Sequence, residues 1–137
     1  DDEDYERVMS LGKWCCANGY AVKRIGRSSS IRMHRFIMNT PEGMETDHIN
    51  RDKLDNRKEN LRICRVCENQ WNRSKTSINT TGFKGVYAVR GKYKAVITVN
   101  RKKIWLGYFN CKIDAARAYN AAAYVHHGQF ANVNQIP

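Results

Sequence analysis

Three short runs of alternating residues constrain the fold more than any other feature of this chain. They cover residues 85–90, 93–99 and 103–108, and glycine or asparagine stands at each turn between them. Such alternation is typical of half-buried antiparallel strands, which short turns join into a meander. An alanine-rich segment at 113–126 follows with apolar residues at helical spacing. We therefore expect an α+β fold in which one helix packs on a three-stranded sheet.

Alternation also divides these runs into two faces. The apolar face, expected to pack on the helix, contains Val86, Ala88, Tyr93, Ala95, Ile97, Val99, Ile104 and Leu106. The opposite face, which we term the outer face, contains Tyr87, Val89, Lys92, Lys94, Val96, Thr98, Lys103 and Trp105. Because cationic, hydroxyl and aromatic groups suit phosphates and bases, the outer face predicts a DNA-binding surface. The alternative is a solvated basic face on a structural domain.

The overall charge indicates the same kind of partner. The 137 residues carry a net charge of +11 with 42% hydrophobic residues, which is typical of a folded, basic protein that binds a polyanion. We therefore expect double-stranded DNA as the partner. Neither a membrane-spanning run nor a signal peptide is evident, so we expect no membrane association and no secretion. The expected setting is the cytoplasm of a phage- or bacterial-type host. The sequence begins without methionine, from which we expect a processed or truncated N-terminus.

The five cysteines do not form a disulfide framework, because their number is odd and Cys15 and Cys16 are adjacent. Cys64 and Cys67 have the spacing of a zinc knuckle. A structural zinc site needs a second ligand pair, which Cys15 and Cys16 could supply only awkwardly. We therefore interpret the cysteines as free thiols in a reducing compartment and leave zinc open as the alternative.

An ordered series of polar residues in the first half of the chain predicts a catalytic site that holds a cation. Asp47 and His48 are adjacent, and Asn60 and Asn69 follow across a predicted strand and a predicted short helix. Carboxylate and amide oxygens bind hard cations, and a histidine can take a proton from water near neutral pH. The alternatives are turn-capping residues or a calcium loop, but the spacing lacks the central glycine and terminal glutamate of the latter.

Not every polar residue of this region belongs to the predicted site. We interpret Asn50, Asp55 and Asn56 as turn residues, because asparagine and aspartate commonly bond to their own backbone in turns. His34 stands alone between Met33 and Arg35 in an apolar run. It is interpreted as a packing residue.

This ordered series resembles the HNH family of ββα-metal endonucleases, in particular the phage-type homing endonucleases. The matching segments are Met33–Met38, Asp47–Asn50, Leu54–Arg57, Asn60–Arg62 and Glu68–Asn72. The resemblance implies that His48 is the general base, that Asn60 orients it, and that Asp47 and Asn69 hold Mg²⁺ or Mn²⁺. Asparagine at the third position makes this an HNN variant. Arg62 is predicted to contact DNA, and no organic cofactor is expected.

Residues 82–134 resemble the AP2/ERF DNA-binding domain, a three-stranded sheet backed by one helix. The matching segments are Gly85–Val86, Gly91–Ala95, Trp105–Phe109, Ala115–Tyr119 and Phe130–Asn134. The resulting DNA contacts are predicted at Tyr87, Arg90, Lys92, Lys94, Thr98, Lys103 and Trp105. Tyr87, Val89 and Thr98 stand where arginines are usual in the family, so its usual GC-box specificity is not expected here.

The predicted organisation is a nuclease domain at 1–76 and an AP2-like domain at 77–137, joined by a small polar linker at 74–81. A β-hairpin precedes the nuclease motif, and residues 1–13 form an acidic lead-in. The expected function is metal-dependent hydrolysis of duplex DNA. The alternative is a non-catalytic DNA-binding regulator with a decayed nuclease domain; an RNA-binding protein fits the charge but not the order of the polar residues. The oligomeric state is left open, and a monomer is compatible with the sequence.

Overall fold

The computed structural model describes residues 1–73 and 79–137. The chain divides into two units, Asp1–Asn69 (unit 1) and Gln70–Pro137 (unit 2). The predicted domain boundary between residues 76 and 77 lies outside the described residues, as does most of the predicted linker. Small antiparallel sheets and several helices confirm the α+β class. Within the described ranges, no helix combines the length and the apolar character that crossing a membrane requires.

Unit 1 contains two small antiparallel sheets and short helices. In chain order its elements are α1 (Asp2–Ser10), β1 (Cys15–Ala17), β2 (Tyr20–Arg24), β3 (Ser30–Arg32), α2 (Met33–Ile37), β4 (Glu45–His48), a 3₁₀ turn (Lys58–Asn60), β5 (Leu61–Cys64) and the start of α3 (Val66–Trp71). Strands β1, β2 and β3 form one sheet in that order, and β4 pairs with β5.

Most of the predicted acidic lead-in at residues 1–13 forms a helix, α1. Acids in the first turn are favoured there by the helix dipole. Val8 packs with Ile37 and Leu61 in the core of the unit. The buried Asp4 accepts a hydrogen bond from Arg7 at 2.8 Å. The acidic residues therefore begin a helix that packs on the core of unit 1.

The predicted hairpin before the nuclease motif is confirmed and extended by one strand. Its turn uses Asn18 and Gly19, which both have positive φ angles of 53° and 78°. Strand β3 adds to the other edge of β2, with Val22 opposite Arg32. The chain then enters α2 directly, which places His34 against this sheet.

Unit 2 has the predicted sheet and helix. Its elements are β6 (Val86–Val89), β7 (Lys92–Val99), β8 (Lys102–Phe109), α4 (Lys112–His127) and a 3₁₀ turn (Gly128–Phe130). Helix α4 packs on the sheet through small residues such as Ala115 and Ala123. Gly85 is required at the sheet edge, since a Cβ atom there would lie 2.1 Å from the Tyr119 ring and its φ is +74°.

A β-bulge in β8 changes which residues reach the outer face. Ala95 is opposite Gly107, whereas the next residue, Val96, is opposite Trp105. Leu106 is the extra residue, and it packs toward the helix. The bulge reverses the alternation beyond it, so that Tyr108 lies opposite Lys94 on the outer face. Strict alternation from Leu106 would have placed Tyr108 on the helix side.

Candidate active site

The β4–β5 ribbon presents Asp47 and His48 on opposite faces. Asp47 lies opposite Arg62 and His48 opposite Leu61, and successive strand residues point to opposite sides. Asp47, His48 and Asn60 are 6%, 5% and 6% exposed. Their side chains therefore belong to the packed interior of unit 1, where neighbouring groups fix their positions.

On one face, Asp47 forms an ion pair with Arg62. The Oδ2 atom of Asp47 accepts from Nη2 at 2.6 Å and from Nε at 2.9 Å. The Arg62 side chain is only 15% exposed. Arg62 is predicted to contact DNA. In the structure its guanidinium group binds the Asp47 carboxylate.

Cys64 lies near this face. Burial, followed by the negative charge of Asp47, raises the pKa of its thiol to about 11, so it stays protonated near neutral pH. Zinc binds the thiolate, so a zinc ion at Cys64 would have to displace this proton. Among the described residues no three His, Cys, Asp or Glu side chains gather at one metal-binding point.

The two predicted cation ligands, Asp47 and Asn69, are both oxygen donors, as a hard cation requires. Asn69 lies on α3, where its backbone N–H donates to Arg65 O at 3.0 Å. Arg65, just before this helix, donates its backbone N–H to Glu68 Oε2 at 2.6 Å. One carboxylate, one amide oxygen and water molecules make an oxygen ligand set that fits Mg²⁺ or Mn²⁺. Arg62 would have to share the Asp47 carboxylate with such an ion.

On the other face, His48 is held by Asn56. Its Nε2 atom lies 3.2 Å from Asn56 Oδ1, and Asn56 Nδ2 donates to Leu54 O at 3.0 Å. The second bond fixes the amide so that its oxygen faces the ring. His48 therefore donates through Nε2, which leaves Nδ1 as the nitrogen that can accept a proton. Asn56 had been interpreted as a turn residue only; no local pattern distinguishes it from the neighbouring turn asparagines.

Asn60 fixes the loop that follows His48. Its Oδ1 accepts from Asn50 N at 2.9 Å, and its Nδ2 donates to Asp55 O at 2.8 Å. Its backbone oxygen accepts from Ile49 N at 2.8 Å. Asn60 thus acts on His48 through the backbone of this loop, whereas Asn56 is the amide at the ring itself.

His34 is a packing residue, as expected, but it packs on His48. It is 2% exposed, and the two imidazole centroids are 4.8 Å apart in an edge-to-face arrangement. Burial, with the nearby charges of His48, Arg32 and Arg35, lowers the pKa of His34 to about 4. The neutral His34 ring therefore packs against the His48 ring and supports it.

The outer face of unit 2 carries its predicted residues at the surface. Trp105 is 61% exposed and Tyr87 54%. Tyr108, which alternation did not predict here, is 52% exposed, and its ring lies 5.7 Å from that of Trp105. Arg90, Lys92, Thr98 and Lys103 are also exposed, and Lys94 is half-buried.

Comparison with known proteins identifies the nuclease region. A sequence profile described as HNH endonuclease matches residues 39–70, which contain Asp47, His48, Asn60 and Asn69. An uncharacterised HNH endonuclease of Acanthamoeba polyphaga mimivirus is 31% identical across 94% of this chain and 70% of its own length. The chain belongs to the HNH endonuclease family. Membership of the HNH family implies nuclease activity with DNA as substrate. No solved structure matches the chain.

Proposed function

We propose that this HNH endonuclease hydrolyses phosphodiester bonds of duplex DNA with Mg²⁺ or Mn²⁺, and that unit 2 binds the target. The observation that carries the proposal is the β4–β5 ribbon. It holds a buried carboxylate and a buried imidazole on adjacent residues and opposite faces, each with its own fixed partner.

In the proposed reaction, His48 takes a proton from the attacking water through Nδ1. Asn56 accepts from the Nε2–H of His48 and so orients the ring with Nδ1 as the proton-accepting nitrogen. Asn60 supports the same ring by closing the 50–55 loop. Positioned proton transfer of this kind contributes roughly 10²- to 10⁴-fold to a rate.

Asp47 and Asn69 are proposed to hold the cation. When bound, such an ion stabilises negative charge on the phosphate and on the leaving oxygen. Arg62 is proposed to orient the Asp47 carboxylate, because two of its N–H groups bond to the same carboxylate oxygen at short range. This arrangement gives Arg62 a supporting role within the site.

Unit 2 is proposed to act as an AP2-like target-binding module. The support is a three-stranded sheet with α4 on one side and the outer face on the other. Lysines would bind phosphates, and Tyr87, Trp105 and Tyr108 would lie against sugars or bases.

A non-catalytic DNA-binding regulator is the second candidate. The favouring observation is the Asp47–Arg62 ion pair, since a carboxylate neutralised by arginine can be purely structural. Such a protein would keep the outer face and bind DNA without cutting it.

Plasmid nicking separates the two functions. The full chain is incubated with supercoiled plasmid and millimolar Mg²⁺ or Mn²⁺, with EDTA in a parallel sample. The nuclease proposal predicts nicked or linear DNA that EDTA abolishes. Binding in a gel shift without any cleavage in either metal would favour the regulator.

A further inference from the structure

Two cations meet on the ring of Tyr20. Lys53 Nζ lies 4.6 Å from the ring centroid, and the Arg32 guanidinium carbon lies 5.0 Å from it. Arg32 ends β3, whereas Lys53 belongs to the loop after β4. Both side chains are exposed, while Tyr20 is half-buried. Contacts of this kind contribute roughly 0.5–1 kcal/mol at exposed sites.

The same tyrosine lies beside the proposed base. Its ring centroid is 6.2 Å from that of His48 and 5.3 Å from that of His34. The stem of Lys53 also runs over the β1–β2 turn, where its Cδ is 3.5 Å from the position of a Cβ on Gly19. Tyr20 therefore brings two cations from separate segments to the side of the molecule on which His48 lies.

These two cations differ in their partners from five other cations of unit 1. Arg7, Arg35, Arg57, Lys58 and Arg62 pair with carboxylates. Within the described ranges neither Arg32 nor Lys53 forms a salt bridge with an acid. Two like charges that share one ring, with no acid between them, favour an external anion.

We propose that Arg32 and Lys53, held on Tyr20, bind the DNA backbone phosphates next to the phosphodiester presented to His48. This inference rests on the proposed function, because it assigns the phosphate contacts of that same site. Lysine binds a phosphate as a point charge, and arginine binds it through a planar fork of N–H groups. Such contacts position DNA without reading its sequence. The Tyr20 ring fixes the positions of the two positive charges.

Salt dependence of DNA binding tests the proposal directly. The binding partner is uncut duplex DNA, and every protein carries His48→Ala so that cleavage does not interfere. Each phosphate contact contributes about 0.9 to the slope of log K against log salt. We expect Arg32→Gln/Lys53→Gln to make the slope shallower by about 0.9 to 1.8, according to whether the pair shares one phosphate or binds two.

A matched control removes the same charges from unit 2. Arg117→Gln/Lys112→Gln takes one arginine and one lysine from α4, where Arg117 pairs with Asp114 and Lys112 Nζ lies 5.9 Å from the Phe83 ring. Its slope should equal that of the parent protein. Equal losses in the two double variants would mean that only net charge matters and would overturn the proposal.

The role of Tyr20 has its own pair of variants. Tyr20→Phe keeps the ring and should keep the slope, whereas Tyr20→Leu should reduce it toward that of the double variant, with far-ultraviolet circular dichroism confirming that the fold is retained. If Tyr20→Phe and Tyr20→Leu bind alike, the ring does not hold the cations. If Tyr20→Leu does not fold, the Arg32→Gln/Lys53→Gln variant alone decides.

Failure of this inference can be told from failure of the proposed function. Wild-type protein that cuts plasmid with Mg²⁺ while the double variant keeps the parental slope refutes the phosphate pair alone. A shallower slope together with wild-type protein that never cuts DNA refutes the nuclease proposal and leaves the phosphate contacts standing.

Discussion

The two units present their proposed functional residues in opposite ways. In unit 1, Asp47 and His48 are 6% and 5% exposed and are held by Arg62 and Asn56. In unit 2, Tyr87 and Trp105 are 54% and 61% exposed. Proton transfer and cation binding need groups fixed within fractions of an ångström, which packing supplies. Binding a polyanion needs accessible charge and tolerates local freedom.

This contrast predicts different outcomes of substitution. A change in the buried site removes a catalytic group and also leaves its hydrogen-bond or ion-pair partners without that group in a buried region. A change on the outer face removes a contact with DNA and leaves the packing of the sheet intact. The first class should alter rates and stability, and the second only affinity.

The largest effect is expected at His48. His48→Ala should lower the single-turnover cleavage rate by roughly 10²- to 10⁴-fold, because the proton acceptor is lost. Affinity for duplex DNA, measured by fluorescence anisotropy, should stay within about twofold, since a buried ring makes few phosphate contacts. Cleavage at the wild-type rate would remove His48 from the mechanism.

Arg62→Leu tests the buried ion pair. It leaves the Asp47 carboxylate unpartnered by its arginine, which should cost about 3–5 kcal/mol of stability. Asp47→Leu/Arg62→Leu should recover most of that loss, because both charges are gone. Hydrogen exchange of β4 and β5 measures the opening free energy in unit 1.

Adding Mg²⁺ to the same two variants tests whether the cation binds Asp47. If Mg²⁺ binds Asp47, millimolar Mg²⁺ should stabilise Arg62→Leu more than the double variant, since only the former retains the carboxylate. Equal responses of the two variants would indicate that the carboxylate is structural.

Asn56→Ala tests the amide at the ring. The cleavage rate should fall about 10- to 100-fold, as is usual when a residue that orients a catalytic imidazole is removed. Asn50→Ala is the control, because Asn50 lies in the same loop and donates to Asp55 at 2.9 Å. A larger loss in Asn50→Ala would show that loop shape matters more than the bond to His48.

Acid sensitivity of unit 1 should trace to His34. Burial lowers the pKa of His34 from 6.5 to about 4. The unfolded chain therefore binds the proton first as pH falls, so stability is complete above pH 6.5 and declines toward pH 4. This group should account for about 2 kcal/mol between pH 7 and pH 5.

His34→Phe provides the comparison for that pH effect. The variant keeps a ring against His48 and has no proton to bind, so its stability should change less over the same interval. Hydrogen exchange of β4 and β5 at pH 7 and pH 5 measures both proteins. An unchanged pH dependence in His34→Phe would assign the effect to other groups.

The smallest effect is expected on the outer face. Lys94→Gln should make the salt slope of DNA binding shallower by about 0.9, as loss of one phosphate contact predicts. The cleavage rate at saturating DNA should not change. Lys112→Gln, on α4, should leave the slope unaltered. A change in the cleavage rate at saturating DNA would show that the outer face affects catalysis as well as affinity.

The sequence predicted unit 2 well because its pattern is local. Strand alternation and alanine spacing within 85–126 locate the sheet, its outer face and α4. The exception is Tyr108, which a bulge at Leu106 moves to the outer face. A bulge depends on how neighbouring strands pair, and alternation within one strand does not reveal it.

Unit 1 was less predictable because its contacts join distant segments. Asp47, His48 and Asn60 were recognised from their order, and β4, β5 and α3 from local pattern. Tyr20 beside His48, and the packing of α1 through Val8 on Leu61, follow only from tertiary structure. Asn56 looked like any turn residue, since only the folded loop turns its amide toward the ring.

The central claim is that Asp47 and Asn69 hold a hard cation while His48 takes a proton from the attacking water. Mn²⁺ binding followed by electron paramagnetic resonance tests it most directly, using the His48→Ala protein bound to duplex DNA. We predict one protein-dependent Mn²⁺ per chain, lost when Asp47→Ala or Asn69→Ala is added. Retention of that ion in both variants would contradict the claim.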